Sequence, residues 1–213
     1  MNDLEIESTL FSMNLNEVIK QLGEDETKNI LSSFECPLNK DVENFLREKA
    51  IIFNKQGISR THLVYSRIKS KGLGESKELV GYYTIAPRHI AVYKRAVTNT
   101  LWKKVVRFGD KDPEDKKCVF SAPLIGQLGK NFANGNDTLI KGSELLDLAL
   151  NKIKLIQNEI GGKFTYLECE DNPKLIKFYE NNGFTVFGKR TLDRDETDIN
   201  GEYLIQLFKY IKQ

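Results

Sequence analysis

The chain has 213 residues, enough for one generous domain with a sizeable core, and 32 lysine and arginine residues against 30 acidic ones give a net charge of +2, so charge makes no global argument for binding nucleic acid or a membrane surface. Its three cysteines, Cys36, Cys118 and Cys169, lie far apart without CxxC spacing, which speaks against a zinc or redox site and fits a reducing cytosol. The start MNDLEIEST lacks the basic and apolar regions of a leader, and no run approaches the roughly 20 apolar residues that cross a bilayer, so a soluble cytoplasmic protein is expected. Residues 1–35 read as short helices, with Val18, Ile19 and Leu22 on one side before Gly23, and form a helical appendage to a domain of residues 36–213. Asn39 then caps a helix through KDVENFLREKAIIFNK, where Val42, Phe45, Leu46, Ala50 and Phe53 recur at helical spacing until Gly57. Two β-rich runs, RTHLVYSRI and ELVGYYTIA, flank the Gly- and Lys-rich KSKGLGESK, the pattern of a hairpin with an exposed loop, and Pro87 ends the second run.

A basic segment, KRAVTNTLWKKVVRF, follows, and the charged stretch GDKDPEDKK reads as a surface loop. CVFSAPLIGQL reads as one long strand buried on both faces. A helix opens near Gly142 and carries the apolar stripe Leu145, Leu146, Ala149, Ile153, Ile156 and Ile160 up to Gly161 and Gly162. KFTYLECE gives a strand, residues 173–182 a short helix, and FTVFGKR and EYLIQLFKYI two more strands. The order is mixed α/β, with a parallel strand pair joined through the helix after Gly142, and such a crossover gathers ligand-binding loops at one sheet edge.

The segment NPKLIKFYENNGF, Asn172 to Phe184, set between a strand-helix-strand unit and a further strand, resembles the second half of the GNAT superfamily of acetyl-CoA-dependent N-acetyltransferases. The likeness covers residues 118–190 and, more loosely, 34–93. It implies a mostly antiparallel mixed sheet with a central parallel pair and helices on both faces. It also implies that Asn172 contacts the cofactor near the helix start, that Tyr179 lies by the thioester sulfur, and that Gly183 and Phe184 turn the chain into the next strand. Aminolysis of a thioester expels a thiolate that a nearby acid can protonate. Ordinary pKa values of about 10 for a phenol and about 8.5 for a thiol put that transfer uphill by roughly 2 kcal/mol. Phe178, beside Tyr179, is read as core.

By the same resemblance the backbone of Leu128, Gly129 and Lys130 pairs with pantetheine, and a loop and helix N-terminus at Leu139, Ile140, Lys141, Gly142 and Ser143 cradle the pyrophosphate. The loop departs from the family pattern: Ile140 stands in place of the first glycine and Asp137 adds negative charge, while Lys141, Ser143 and the helix dipole compensate. Its plain alternative is an Asn-Gly turn, Asn134 and Gly135, before an ordinary helix. On strand YLECED, Glu168 and Glu170 share one face, and either can relay the ammonium proton of the acceptor through water, simple salt bridging being the alternative role. Cys169, on the opposite face, is read as core ahead of a covalent acetyl-cysteine route. His62 and His89 sit in strand contexts without a partner at ligand spacing and are read as structural, and no metal is expected.

The first half, FECPLNKDVENFLREKA with GISRTHLVY and LVGYYTIA, looks like the opening of bacterial GNAT toxins of toxin-antitoxin pairs, which acetylate the amine of aminoacyl-tRNA. Gln127 stands where such toxins carry arginine. That kinship makes Lys94, Arg95, Lys103, Lys104 and Arg107 around Trp102 a phosphate-contacting stripe, against the alternative of a solvated basic face. Three readings follow: an acetyltransferase acting directly on an unidentified primary amine, a toxin acting on aminoacyl-tRNA, and a non-catalytic GNAT-fold interaction protein. The partners implied are acetyl-CoA as acyl donor, an amine substrate and, under the second reading, tRNA; a homodimer is compatible with all three and a membrane with none.

Overall fold

A computed structural model of the chain describes residues 6–70, 74–192 and 201–212. In chain order its elements begin with β1 (Ile6–Asn14), α1 (Leu15–Leu22), α2 (Glu24–Ser32) and α3 (Lys40–Asn44), which runs through a π-helical turn (Phe45–Lys49) into α4 (Ala50–Gln56). There follow β2 (Arg60–Ser70), β3 (Gly74–Ala86), β4 (His89–Tyr93), α5 (Asn99–Val105), β5 (Asp110–Asp112), β6 (Lys117–Ser121) and β7 (Leu124–Lys130). A 3₁₀ segment (Ala133–Leu139) leads to α6 (Gly142–Ile160), then β8 (Phe164–Glu170), α7 (Pro173–Asn181), β9 (Thr185–Thr191) and β10 (Tyr203–Tyr210). Seven strands form one sheet in the order β1-β2-β3-β7-β8-β10-β9, and β4-β6-β5 form another. The chain divides into two compact units, Met1–Thr84 with Gln127–Ala149, and Ile85–Gly126 with Leu150–Gln213.

In the first unit, local chemistry sets the helix ends. The Asn14 side chain accepts from the Asn16 amide to start α1, and Asn39 accepts from Val42 to start α3. Gly57 ends α4 in the left-handed region at φ 76°, a conformation a side chain would strain. The segment before residue 36, expected as a helical appendage, opens instead with a strand. β1 pairs antiparallel with β2 from Ile6–Ser70 to Asn14–His62, and Leu15, Val18, Leu31 and Phe34 enter the same buried cluster as Leu46, Leu63 and Tyr82. Apolar spacing alone favours helices there because it does not show the sheet edge that β2 offers as a partner. The helix predicted from Asn39 to Gly57 is present. The hairpin strands are present as β2 and β3, while residues 71–73 of the predicted loop lie outside the described residues.

Two glycines in this unit mark close backbone approach. A Cβ on Gly81 would stand 2.8 Å from the Gly129 carbonyl oxygen, and one on Gly129 would stand 2.4 Å from Cγ1 of Val42. β7 therefore lies too near α3 to carry a side chain at position 129.

In the second unit, the long strand expected over 118–128 is two strands in two sheets. β6 ends at Ser121, where the Ala122 amide donates to the Arg88 carbonyl. Pro123, having no N–H, contributes only its carbonyl, which accepts from the Tyr166 amide at 3.1 Å and the Thr165 hydroxyl at 2.8 Å. The charged stretch expected as pure loop contains β5, which pairs with β6 from Asp110–Val119 to Asp112–Lys117. Phe120, Phe164, Phe187 and Phe208 centre the core of this unit. The apolar stripe of α6 stops short of Ile160, which is 77% exposed, and the helix ends at Gly161 and Gly162 with φ 82° and 102°. β8 pairs antiparallel with β10 and parallel with β7, the parallel register being Leu124–Tyr166 and Ile125–Leu167. Among the described residues no helix is long and apolar enough to cross a membrane.

Candidate active site

The tyrosine motif lies wholly in the second unit. Asn172 caps α7 by accepting from the Lys174 amide at 3.0 Å, Pro173 occupies the first turn, and Gly183 leaves the helix at φ 81°. The Phe184 amide donates to the Tyr179 carbonyl at 3.1 Å, which turns the chain into β9 as the motif implied. Tyr179 is only 8% exposed, with its ring edge-on to Phe178 at 5.1 Å and to Phe184 at 5.8 Å. Burial, with a smaller contribution from neighbouring Cys169, pushes its hydroxyl well above the usual tyrosine value. That hydroxyl forms no hydrogen bond among the described residues, so it is a protonated donor without an acceptor. Phe178, expected as core, is half-buried.

The carboxylates of β8 differ in how they are held. Glu168 accepts from Arg190 Nε at 2.8 Å on one oxygen and from Gln206 Nε2 at 2.8 Å on the other. Glu170 makes no hydrogen bond or ion pair through its side chain among the described residues. It lines an acidic hollow of about 560 Å³ with Asp171, Asn172, Pro173, Gly201, Glu202 and Tyr203. By the strand period both carboxylates belong to the face of β8 opposite Cys169. Cys169 is buried and its thiol is pushed up to about 12 by that burial, a thiol rather than a nucleophile at neutral pH.

The basic residues of this unit are on its surface. Lys94 and Arg95 occupy a 3₁₀ turn (Lys94–Ala96), and Lys103 and Lys104 lie on α5, whose Thr98 cap accepts from Leu101. Together with Arg107 all are exposed, and none is in an ion pair among the described residues. Arg95 sits 5.3 Å over the Tyr93 ring and Lys104 5.4 Å over that of Tyr210, while Trp102 is half-buried against the aromatic core. His62 stacks on Tyr83 at 5.0 Å inside the first unit, and His89 opens β4 on the surface. Among the described residues no group of three or more His, Cys, Asp or Glu is arranged to hold a metal ion.

The predicted phosphate loop lies in the first unit. β7 ends in Leu128, Gly129 and Lys130, and the Asn-Gly turn is real, with Asn134 at φ 55° and Gly135 at φ 73°. Ile140 is extended and only 2% exposed, so its side chain is directed into the protein instead of standing over the loop. Leu139 is half-buried. At the start of α6 the amides of Gly142, Ser143 and Glu144 have no intrahelical acceptor, and Lys141 has no side-chain oxygen to cap them. The Lys141 amide is engaged by the Glu144 carboxylate at 2.7 Å. Sequence reasoning missed Asn131, 2% exposed, which accepts from the Glu35 and Ala133 amides and donates to the Leu79 carbonyl. An isolated asparagine after a strand carries no signal that separates such a hub from a turn residue.

Strand order, the parallel β7–β8 pair and the crossover helix define a GNAT-like fold. No family model matches the sequence, and no curated protein matches it. Among solved structures, AtaT complexed with acetyl-methionyl-tRNAfMet is similar with a TM-score of 0.58 at 16% identity, covering 92% of this chain and 94% of that one. A tyrosine-to-phenylalanine mutant of KacT gives 0.56 at 17%, covering 92% and 93%. A mutant of the toxin AtaT bound to the C-terminus of the antitoxin AtaR and acetyl-CoA gives 0.53 at 14%, covering 96% and 93%. At such identity the likeness is one of fold.

Proposed function

We propose that the chain is an acetyl-CoA-dependent N-acetyltransferase that moves an acetyl group directly to a primary amine. The observation that carries this reading is Tyr179, a buried phenol kept protonated and without an acceptor, in a chain whose fold is shared with acetyl-CoA-binding toxins over nearly its whole length. Bound acetyl-CoA supplies an acyl thioester whose aminolysis releases a thiolate. Tyr179 holds at its hydroxyl the proton that such a thiolate needs, and its raised pKa makes it a stronger keeper of that proton than a free phenol, so hydrogen bonding to the departing sulfur matters more than full transfer. Glu170, the less engaged carboxylate, takes the proton of the acceptor ammonium through water, whereas Glu168 is committed to Arg190 and Gln206. The open amides at the start of α6 suit a pyrophosphate, and the backbone of Leu128, Gly129 and Lys130, beyond the last residue of β7 paired with β8, suits pantetheine. Asn172, exposed at the cap of α7, is a further cofactor contact on the strength of its motif alone.

The acceptor favoured by a specific observation is the aminoacyl end of a charged tRNA. Lys94, Arg95, Lys103, Lys104 and Arg107 present an exposed run of cations with no ion pair among the described residues, and AtaT, which shares the fold, has been captured with acetyl-methionyl-tRNAfMet. This reading implies a cytoplasmic location. The scaffold alternative rests on the atypical phosphate loop, where Ile140 replaces a glycine and Asp137 adds negative charge; the burial of Ile140, 2% exposed, favours the enzyme reading over it. Titration of acetyl-CoA into the protein, followed by thiol release in the presence of free amines or aminoacyl-tRNA, tests the proposal. Saturable binding with amine-dependent thiol release supports it, and the absence of any acyl-CoA binding rejects it.

A further inference from the structure

We infer that the Lys130 side chain is the positioning residue that shapes the anion-binding loop before α6, an assignment that rests on the acetyl-CoA reading of that loop. Its ammonium donates to the Asp137 carbonyl at 2.6 Å and to the Ile140 carbonyl at 3.1 Å, and it lies 5.8 Å from the Phe132 ring. These two carbonyls bracket the end of the 3₁₀ segment, so one side chain fixes the turn that enters α6. The residue beside it fixes the other end. Asn131 accepts from the Ala133 amide at 3.1 Å and is itself held by β3, through its amide to the Val80 carbonyl at 2.9 Å and its Nδ2 to the Leu79 carbonyl at 2.8 Å.

In a trans peptide the carbonyl and the following amide point in opposite directions. Drawing the carbonyls of Asp137 and Ile140 onto Lys130 therefore turns the amides that follow them away from the ammonium, the Lys141 amide meeting the Glu144 carboxylate, and sets the direction in which the chain enters α6, whose Gly142, Ser143 and Glu144 amides have no intrahelical acceptor. Glycine-rich loops reach such an arrangement through backbone freedom. This loop has Ile140 instead, and the bonds from Lys130 take the place of the missing glycine. The acceptors are neutral, and Lys130 has no ion pair among the described residues, so its positive charge remains to offset Asp137 and attract phosphate.

The test uses the full-length protein and the variants Lys130→Met and Lys130→Arg. Dissociation constants are measured for coenzyme A and for pantetheine, which lacks the phosphates, alongside amide hydrogen exchange across residues 133–141 in the unliganded protein. Loss of two charge-assisted bonds predicts that Lys130→Met weakens coenzyme A about tenfold or more and pantetheine less than about threefold, with Lys130→Arg between wild type and Met. Faster exchange confined to residues 133–141 accompanies the loss. Equal weakening of both ligands, or loop exchange identical to wild type, overturns the assignment. If the wild type binds neither ligand, the acetyltransferase reading falls, and exchange alone decides whether Lys130 shapes the loop.

Discussion

Tyr179 keeps its proton because burial raises its pKa, and its hydroxyl makes no hydrogen bond among the described residues. Tyr179→Phe should therefore lower kcat by about 10²-fold, a usual contribution of a positioned acid. The melting temperature should stay within a degree or two, since no hydrogen bond is lost. Binding of coenzyme A, measured by titration, should be nearly unchanged; equal loss of binding and turnover would mean that the phenol is a structural group. The raised pKa also fixes the pH dependence. Phenol ionisation lies above the free value of about 10, so a kcat profile should show no fall from this group up to about pH 10. The cysteines belong to the same physics. Burial raises Cys36 and Cys118 and takes Cys169 to about 12, so all three should resist alkylation at pH 8 until the protein unfolds, as intact-mass measurement would report. The helix that carries Tyr179, from its Asn172 cap to the Gly183 turn, was legible in the sequence because a whole motif surrounds it. The ammonium of Lys130 was not, because strand period says which face a side chain leaves from and nothing about where four methylenes carry its end.

At the scale of elements, β7 and α7 carry the most weight. Gly129→Ala places a methyl group 2.4 Å from Val42, and such overpacking should cost about 1–3 kcal/mol in denaturant unfolding. Val42→Ala in the same chain should recover part of that loss, because it removes the colliding atom. No recovery would show that position 129 is constrained by something other than α3. Asn172→Ala removes a cap from α7 and should cost about 1 kcal/mol as well as weakening the cofactor. Helices bounded by a cap and a glycine, such as Asn39 to Gly57, were readable from sequence since both signals are local. The division of residues 118–128 into β6 and β7 turns on Pro123, whose carbonyl reaches β8 more than 40 positions away along the chain, and apolar runs do not encode that partner.

For the molecule as a whole, the stretch from Leu15 to Phe34 contributes to a core. Leu15, Leu31 and Phe34 are fully buried in the first unit, so deletion of residues 1–35 should leave no cooperative thermal transition for that unit. Alkaline stability follows from the tyrosines. Burial raises Tyr82, Tyr83, Tyr166 and Tyr179 in the folded state, whereas the unfolded chain titrates near 10, so the unfolded state releases protons first as pH rises. Stability is thus unaffected by these groups below about pH 9 and declines above about pH 10. The fold class was legible because crossover order and the tyrosine motif survive in sequence, while the acceptor was not, because surface cations mark an electrostatic field and not a ligand. The most direct measurement is thiol release from acetyl-CoA with purified aminoacyl-tRNA as acceptor, comparing wild type with Tyr179→Phe. Release should require the acceptor and fall about 10²-fold in the variant; release equal in both proteins, or none with any amine, would rule out acetyl transfer assisted by Tyr179.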